Sequence, residues 1–160
     1  MKPPALCIIG HQNSGKTRVV AALVSHLTRR GYRVGTVKHA KHGFLADMPG
    51  KDSHAHFKAG AAMTVLSSPE KVAIFRRVRR ETPLNDLLAT FEGVDLVIVE
   101  GYRRSSLPRI EVYRRAVAPR PMRVTHRLKV IATVSDDVAG AFRSRDVAGL
   151  ADFILGVAGL

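Results

Sequence analysis

Ala5-Leu6-Cys7-Ile8-Ile9 runs directly into Gly10-His11-Gln12-Asn13-Ser14-Gly15-Lys16-Thr17, a complete G-x-x-x-x-G-K-[ST] loop, and Val20, Leu23, Val24 and Leu27 follow at helical steps. An apolar strand, a glycine-rich turn and an amphipathic helix form the context in which this motif binds phosphate. The glycines let the backbone close around an anion, while successive N–H groups and the positive end of the helix point at it. Lys16 is expected to reach the β- and γ-phosphates, and Thr17 to offer its hydroxyl to Mg²⁺. Residues Gly10 to Thr17, with Arg18, are therefore assigned to the nucleotide. The alternative, a strand-to-helix turn with an exposed lysine, leaves the agreement of motif and context unexplained.

Outward from the loop, the first helix is expected from Lys16 to Arg30, with Gly31 at its close, and a second strand from Tyr32 to Val37. Lys38 to Gly50 is too rich in Gly, Pro and His for a regular element and reads as a functional loop. Asp52 or Ser53 can cap a short helix reaching Ala59. Met63 to Leu66 and Lys71 to Phe75 read as an antiparallel pair at one sheet edge. Thr82-Pro83 opens a helix whose buried face is Leu84, Leu87, Leu88 and Phe91. Leu96-Val97-Ile98-Val99 is a strand buried on both faces, ended by Glu100-Gly101; Arg109 to Tyr113 and Val130 to Val134 are further strands, and Asp146 can cap a last helix. The pattern predicts an α/β fold: a P-loop NTPase-like three-layer sandwich with a mostly parallel sheet and an antiparallel edge, residues 1–160 forming a single domain.

The 160 residues carry 26 Lys+Arg against 13 Asp+Glu, a formal charge of +13. Such an excess favours anionic partners, although a solubilising surface accounts for it equally well. No aromatic residues interleave the arginines as base-stacking would require, so nucleic acid is not the expected partner. No apolar run approaches the roughly 20 residues of a membrane span, and Gly10 and His11 interrupt any signal-peptide segment, so a cytoplasmic location is expected. The single cysteine, Cys7, reads as a buried, inert thiol.

A phosphate-loop protein needs an acid at the C-terminal end of a neighbouring strand to hold Mg²⁺ directly or through water. Asp95 stands at the wrong end of its strand and Glu100 at the right one, so the metal is assigned to Thr17 and Glu100. Asp47 and Asp52 are candidates for a water-shell or catalytic role, with turn-capping as the equal alternative. Lys38 and His39 read as donors to an anion at the sheet edge. His39, His42, His54 and His56 cluster, but without a nearby cysteine they read as phosphate donors or surface groups before a transition-metal site.

Lys38-His39, then Asp47-Met48-Pro49-Gly50-Lys51-Asp52-Ser53, Ala59-Gly60-Ala61, Val99-Glu100-Gly101-Tyr102-Arg103 and Pro108-Arg109-Ile110-Glu111-Val112 stand in an order and spacing that resembles the MobB family. These are the small GTP-binding proteins of molybdopterin guanine dinucleotide synthesis. The resemblance runs from the phosphate loop to about Val112, and the tail after Arg115 matches only loosely. It implies GTP binding with Mg²⁺, slow hydrolysis, a homodimer, and assistance to the MobA-type guanylyltransferase that joins GMP to molybdopterin, with molybdopterin itself as a further ligand. By the same resemblance Lys51 and Asp52 join Lys38, His39 and Asp47 in the functional loop, and Gly101, Tyr102 and Arg103 line the cleft with Glu100.

Two departures stand out. The loop after His39 carries Lys41, Gly43 and Leu45 where the family is richer in histidine and aspartate. No Asn-Lys-x-Asp guanine-reading motif exists either, the only asparagines being Asn13 and Asn85. Asp136 or Asp137, after the Val130 to Val134 strand, is the candidate for reading a guanine edge, with a plain strand-end turn as the alternative. A small-molecule phosphotransferase using Asp47 or Asp52 as base, and a metallochaperone GTPase using the histidines, are the rival functions for the same loop.

Overall fold

The computed structural model describes residues 2–41, 43, 44 and 49–160. The chain divides into two compact units, one built from residues through 39 together with 84–160, the other from 40–83.

The first unit is organised by a five-stranded parallel sheet. Its strands are β1 (Ala5–Ile9), β2 (Val34–Lys38), β5 (Leu96–Glu100), β6 (Arg109–Val112) and β7 (Ala132–Val134), in the order β2-β5-β1-β6-β7. Strands β1 and β5 lie inside the sheet, which is why their sequences are apolar without interruption. Alternate residues face opposite ways. Leu6, Ile8, Leu96, Ile98, Ile110 and Val112 pack under α1 (Lys16–Arg29) and α5 (Val147–Ala158), against Leu23, Leu27, Leu150 and Ile154. Cys7, Ile9, Val97 and Val99 face the other way, under α3 (Leu84–Leu88) and the flanking Phe91, Leu107 and Leu128. Helices on both faces of the sheet make the expected three layers.

The helix α3 is much shorter than its apolar spacing suggests. After Leu88 the chain continues in tight turns, with the N–H of Thr90 on the carbonyl of Leu87 and that of Phe91 on Leu88, and the Thr90 hydroxyl also donates to the Leu87 carbonyl. Phe91 still reaches the core, because Gly35 leaves room for it: a β-carbon on Gly35 would lie 2.6 Å from the Phe91 ring. Asp95 does a structural task at the foot of β5, accepting from the backbone N–H of Arg33 at 2.7 Å. Asp146 caps α5 as expected, accepting from the Gly149 N–H at 3.0 Å.

The second unit holds α2 (Asp52–Lys58) and the antiparallel pair β3 (Met63–Ser67) and β4 (Val72–Arg76). This pair is a separate two-stranded sheet, where the sequence suggested an edge of the main one. Neither Asp52 nor Ser53 caps α2: the N-cap is Lys51, with no side-chain hydrogen bond, and Asp52 opens the first turn. One ribbon face packs on α2, where Phe57 meets Phe75 edge-on and Arg77 stacks on Phe57 at 4.2 Å. The residues of the other face, Met63, Val65, Val72 and Ile74, are exposed. Replacing Leu23, which is fully buried between helix and sheet, by alanine is expected to cost about 2–5 kcal/mol in urea unfolding, the range for a leucine deleted from a packed core.

Candidate functional site: the phosphate loop and the ends of β1, β2 and β5

The loop between β1 and α1 is held by backbone geometry that few residues tolerate. Gly10 (φ +150°), Asn13 (φ +62°) and Gly15 (φ +97°) all carry positive φ. At Gly10 a β-carbon would fall 2.3 Å from the carbonyl oxygen of Val112, so the loop lies directly on the end of β6. The Ser14 N–H closes a turn on the His11 carbonyl at 3.2 Å. Helix α1 then begins without a side-chain cap at Gly15 and without an acid in its first turn, which leaves the positive end of its dipole uncompensated by its own residues. Ser14 Oγ and His11 Nε2 are buried with no hydrogen-bond partner among the described residues. Two unpaired polar atoms in a loop of this motif fit a place that an outside anion or water completes.

Lys16 turns back over the loop and donates to the His11 carbonyl at 2.6 Å. Burial holds its ammonium below the usual lysine range; the carboxylate of Glu100 opposes that shift and the charge of Lys38 adds to it. Thr17 donates its hydroxyl to both oxygens of Glu100, at 2.9 and 3.1 Å. The pairing follows from register, since Glu100 ends β5 beside Ile8 of β1 and opposite Lys38 of β2. The Lys38 ammonium lies 3.5 Å from Glu100 Oε1 and 3.4 Å from Thr17 Oγ1. Thus Lys16, Thr17, Lys38 and Glu100 meet at one end of the sheet.

Beyond Glu100 the chain must turn sharply. Gly101 (φ +102°) donates its N–H to the Ile8 carbonyl, and a β-carbon there would lie 2.9 Å from His39 Cβ. Tyr102 follows, also at positive φ (+49°), and its ring stacks on His39 with centroids 4.4 Å apart. His39 is thereby fixed by its ring, and its N–H by the Glu100 carbonyl. Arg103 is exposed on the next turn. Lys51 and Asp52 belong to the second unit, at the start of α2. Asp47 and His42 lie outside the described residues.

The β7 end carries its own fixed network. Asp136 accepts from the Ser144 N–H at 3.0 Å and shares a 2.5 Å hydrogen bond with the Ser144 hydroxyl, contacts that hold its carboxyl below the usual range. Asp137 accepts from the Arg115 N–H at 2.7 Å. Both acids of the candidate base-reading loop thus also pin neighbouring chain. Glu111, to which no motif assigns a role, has its carboxylate wholly buried in β6, accepting from the N–H groups of Met122 and Arg123 and pairing with the Arg123 guanidinium at 3.3 Å. Arg123 passes the contact on to the Thr133 hydroxyl at 2.9 Å. An acid interrupting an apolar strand was the available signal. Its partner, twelve residues on, was not legible.

Residues 5–136 match the sequence model of MobB, described as molybdopterin guanine dinucleotide synthesis protein B. The chain belongs to the MobB family. It is 35% identical over 161 residues to the molybdopterin-guanine dinucleotide biosynthesis adapter protein of Escherichia coli K12, covering 95% of this chain and 91% of that one. The namesake from Haemophilus influenzae Rd is 31% identical over 132 residues, 81% of this chain and 74% of its own. A crystal structure of molybdopterin-guanine biosynthesis protein B superposes with a TM-score of 0.75 at 31% identity, covering 96% of this chain and 99% of that one. The match to the MobB model continues past Val112 through β7 and ends at Asp136. Gly10→Ala in this MobB-family loop is expected to cost about 1–3 kcal/mol of stability through strain at positive φ, read as a lowered unfolding midpoint. Contact with the Val112 carbonyl should add to that loss.

Proposed function

We propose that this chain is a GTP-binding adapter of molybdopterin guanine dinucleotide synthesis. It binds GTP with Mg²⁺, hydrolyses it slowly, and assists a MobA-type guanylyltransferase that attaches GMP to molybdopterin. The relatives' names support the biosynthetic role. The observation that carries the nucleotide reading is the Thr17 hydroxyl on the Glu100 carboxylate at the mouth of the phosphate loop.

Thr17 and Glu100 are hard oxygen donors, and only two of them, which fits a cation that keeps waters and phosphate oxygens in the rest of its shell. Bound there, Mg²⁺ would neutralise phosphate charge. Lys16 would exchange the His11 carbonyl for phosphate oxygens, and the uncapped start of α1 would direct its N–H groups at the same anion. Slow turnover is expected, because the other acids at these strand ends of the first unit are engaged: Glu111 by Arg123, Asp136 by Ser144 and Asp137 by Arg115. Asp47 and Asp52 remain the candidates for a water-positioning role. Exposed Arg103, Arg104, Arg114 and Arg115 follow the ends of β5 and β6 and favour an anionic substrate or an acidic partner face. Molybdopterin, through its phosphate, is a ligand of this chemistry. Preference for guanine rests on the relatives. No helix among the described residues is long and apolar enough to cross a membrane, and we place the adapter in the cytoplasm with its substrates.

Calorimetric titration of GTP, GDP and ATP with Mg²⁺ tests this reading. Guanine nucleotides should bind preferentially, and Lys16→Ala should weaken them about ten- to a hundred-fold, the worth of a charge-assisted hydrogen bond. Preference for ATP, or indifference to Lys16, would favour a different phosphate-loop activity. We infer that the chain pairs as a homodimer through the ribbon face of Met63, Val65, Val72 and Ile74, because a two-stranded sheet is marginal alone and gains from covering its apolar side. Ile74→Arg should convert dimer to monomer in analytical ultracentrifugation; an unchanged dimer would place self-association elsewhere.

A further inference from the structure

We propose that Lys38 is an internal cation that holds the metal position while the site is free of nucleotide, and that it must withdraw before a divalent ion can bind. The proposal rests on the reading that Thr17 and Glu100 hold the metal. Its ammonium lies 3.4 Å from Thr17 Oγ1 and 3.5 Å from Glu100 Oε1, touching both oxygens assigned to that ion.

Backbone pairing fixes the placement: Lys38 and Glu100 are Cα partners in the β2–β5 ladder. The Glu100 side chain is only 12% exposed, so its carboxylate needs a compensating charge in every state. Lys16 feels the Glu100 charge but donates to the His11 carbonyl at 2.6 Å, so among the described residues Lys38 is the cation in contact with both Thr17 and Glu100. With its side chain 63% exposed on a flexible stem, Lys38 has room to swing toward solvent.

Two cations cannot share this carboxylate at such separations without strong repulsion. A divalent ion arriving alone must therefore displace the ammonium and gains less than the full attraction of Glu100. An ion arriving with a nucleotide brings phosphate oxygens to which the displaced ammonium can turn. Metal and nucleotide binding become mutually reinforcing, and the site rejects free metal.

Manganese binding to the nucleotide-free protein, followed by loss of the free-ion electron paramagnetic resonance signal, reads this directly. Lys38→Met should bind Mn²⁺ about two- to five-fold tighter than the wild type, the scale of a partly exposed ion pair. Lys38→Arg keeps the charge and should behave as the wild type. Adding Glu100→Gln to Lys38→Met should abolish the gain. With GDP present, wild type and Lys38→Met should differ less. Equal Mn²⁺ affinity in wild type and Lys38→Met, with Glu100→Gln weakening both, would overturn the proposal and leave the metal reading intact. If Glu100→Gln weakens neither, the metal reading falls and the proposal with it.

Discussion

The parallel pairing of β1 with β5, and of β5 with β2, is the constraint on which the rest depends. Ile8, Glu100 and Lys38 stand side by side in that ladder, so the phosphate loop that leaves β1 must pass the Glu100 carboxylate, and Thr17 meets it at the start of α1. Parallel strands end together at one edge, where loops can carry polar groups that the apolar interior would exclude. Burial of Leu6, Ile8, Leu96 and Ile98 under α1 and α5 keeps that edge fixed. A change in register of one residue would turn Glu100 into the core and Val99 toward the phosphate loop.

Much of this was legible because it is local or periodic. The apolar runs before Gly10 and before Glu100 could only be interior strands, and the end of the second run had to bring Glu100 to the edge where the phosphate loop begins. The α5 cap at Asp146 follows from side-chain chemistry within three residues. Where tertiary contacts decide, the sequence was silent. Leu84, Leu87, Leu88 and Phe91 share a helical spacing, yet the helix stops at Leu88 and the ring of Phe91 instead fills space left by Gly35. Asp52 carries a capping side chain but lies one residue inside α2. The antiparallel ribbon was visible as two strands; that it forms its own sheet depends on pairing partners that no local pattern encodes.

Glu111 shows the same limit at the edge of the site. A buried carboxylate is costly unless paired and hydrogen-bonded, and here two backbone N–H groups and the Arg123 guanidinium meet that requirement. The outcome is a fixed chain segment beside β6, the strand on which Gly10 rests. Asp136 and Asp137 act alike on the far side of β6, binding Ser144 and the Arg115 N–H. Acids in this strongly basic chain thus anchor loops around the phosphate-loop end of the sheet, while many arginines remain exposed.

A crystal structure with GDP and Mn²⁺, phased to show anomalous scattering, tests the central claim most directly. The account predicts the manganese peak between Thr17 Oγ1, the Glu100 carboxylate and the β-phosphate, with the diphosphate on the N–H groups of residues 13–17. A diphosphate bound away from this loop, or manganese held by other residues with Thr17 still hydrogen-bonded to Glu100, would contradict it.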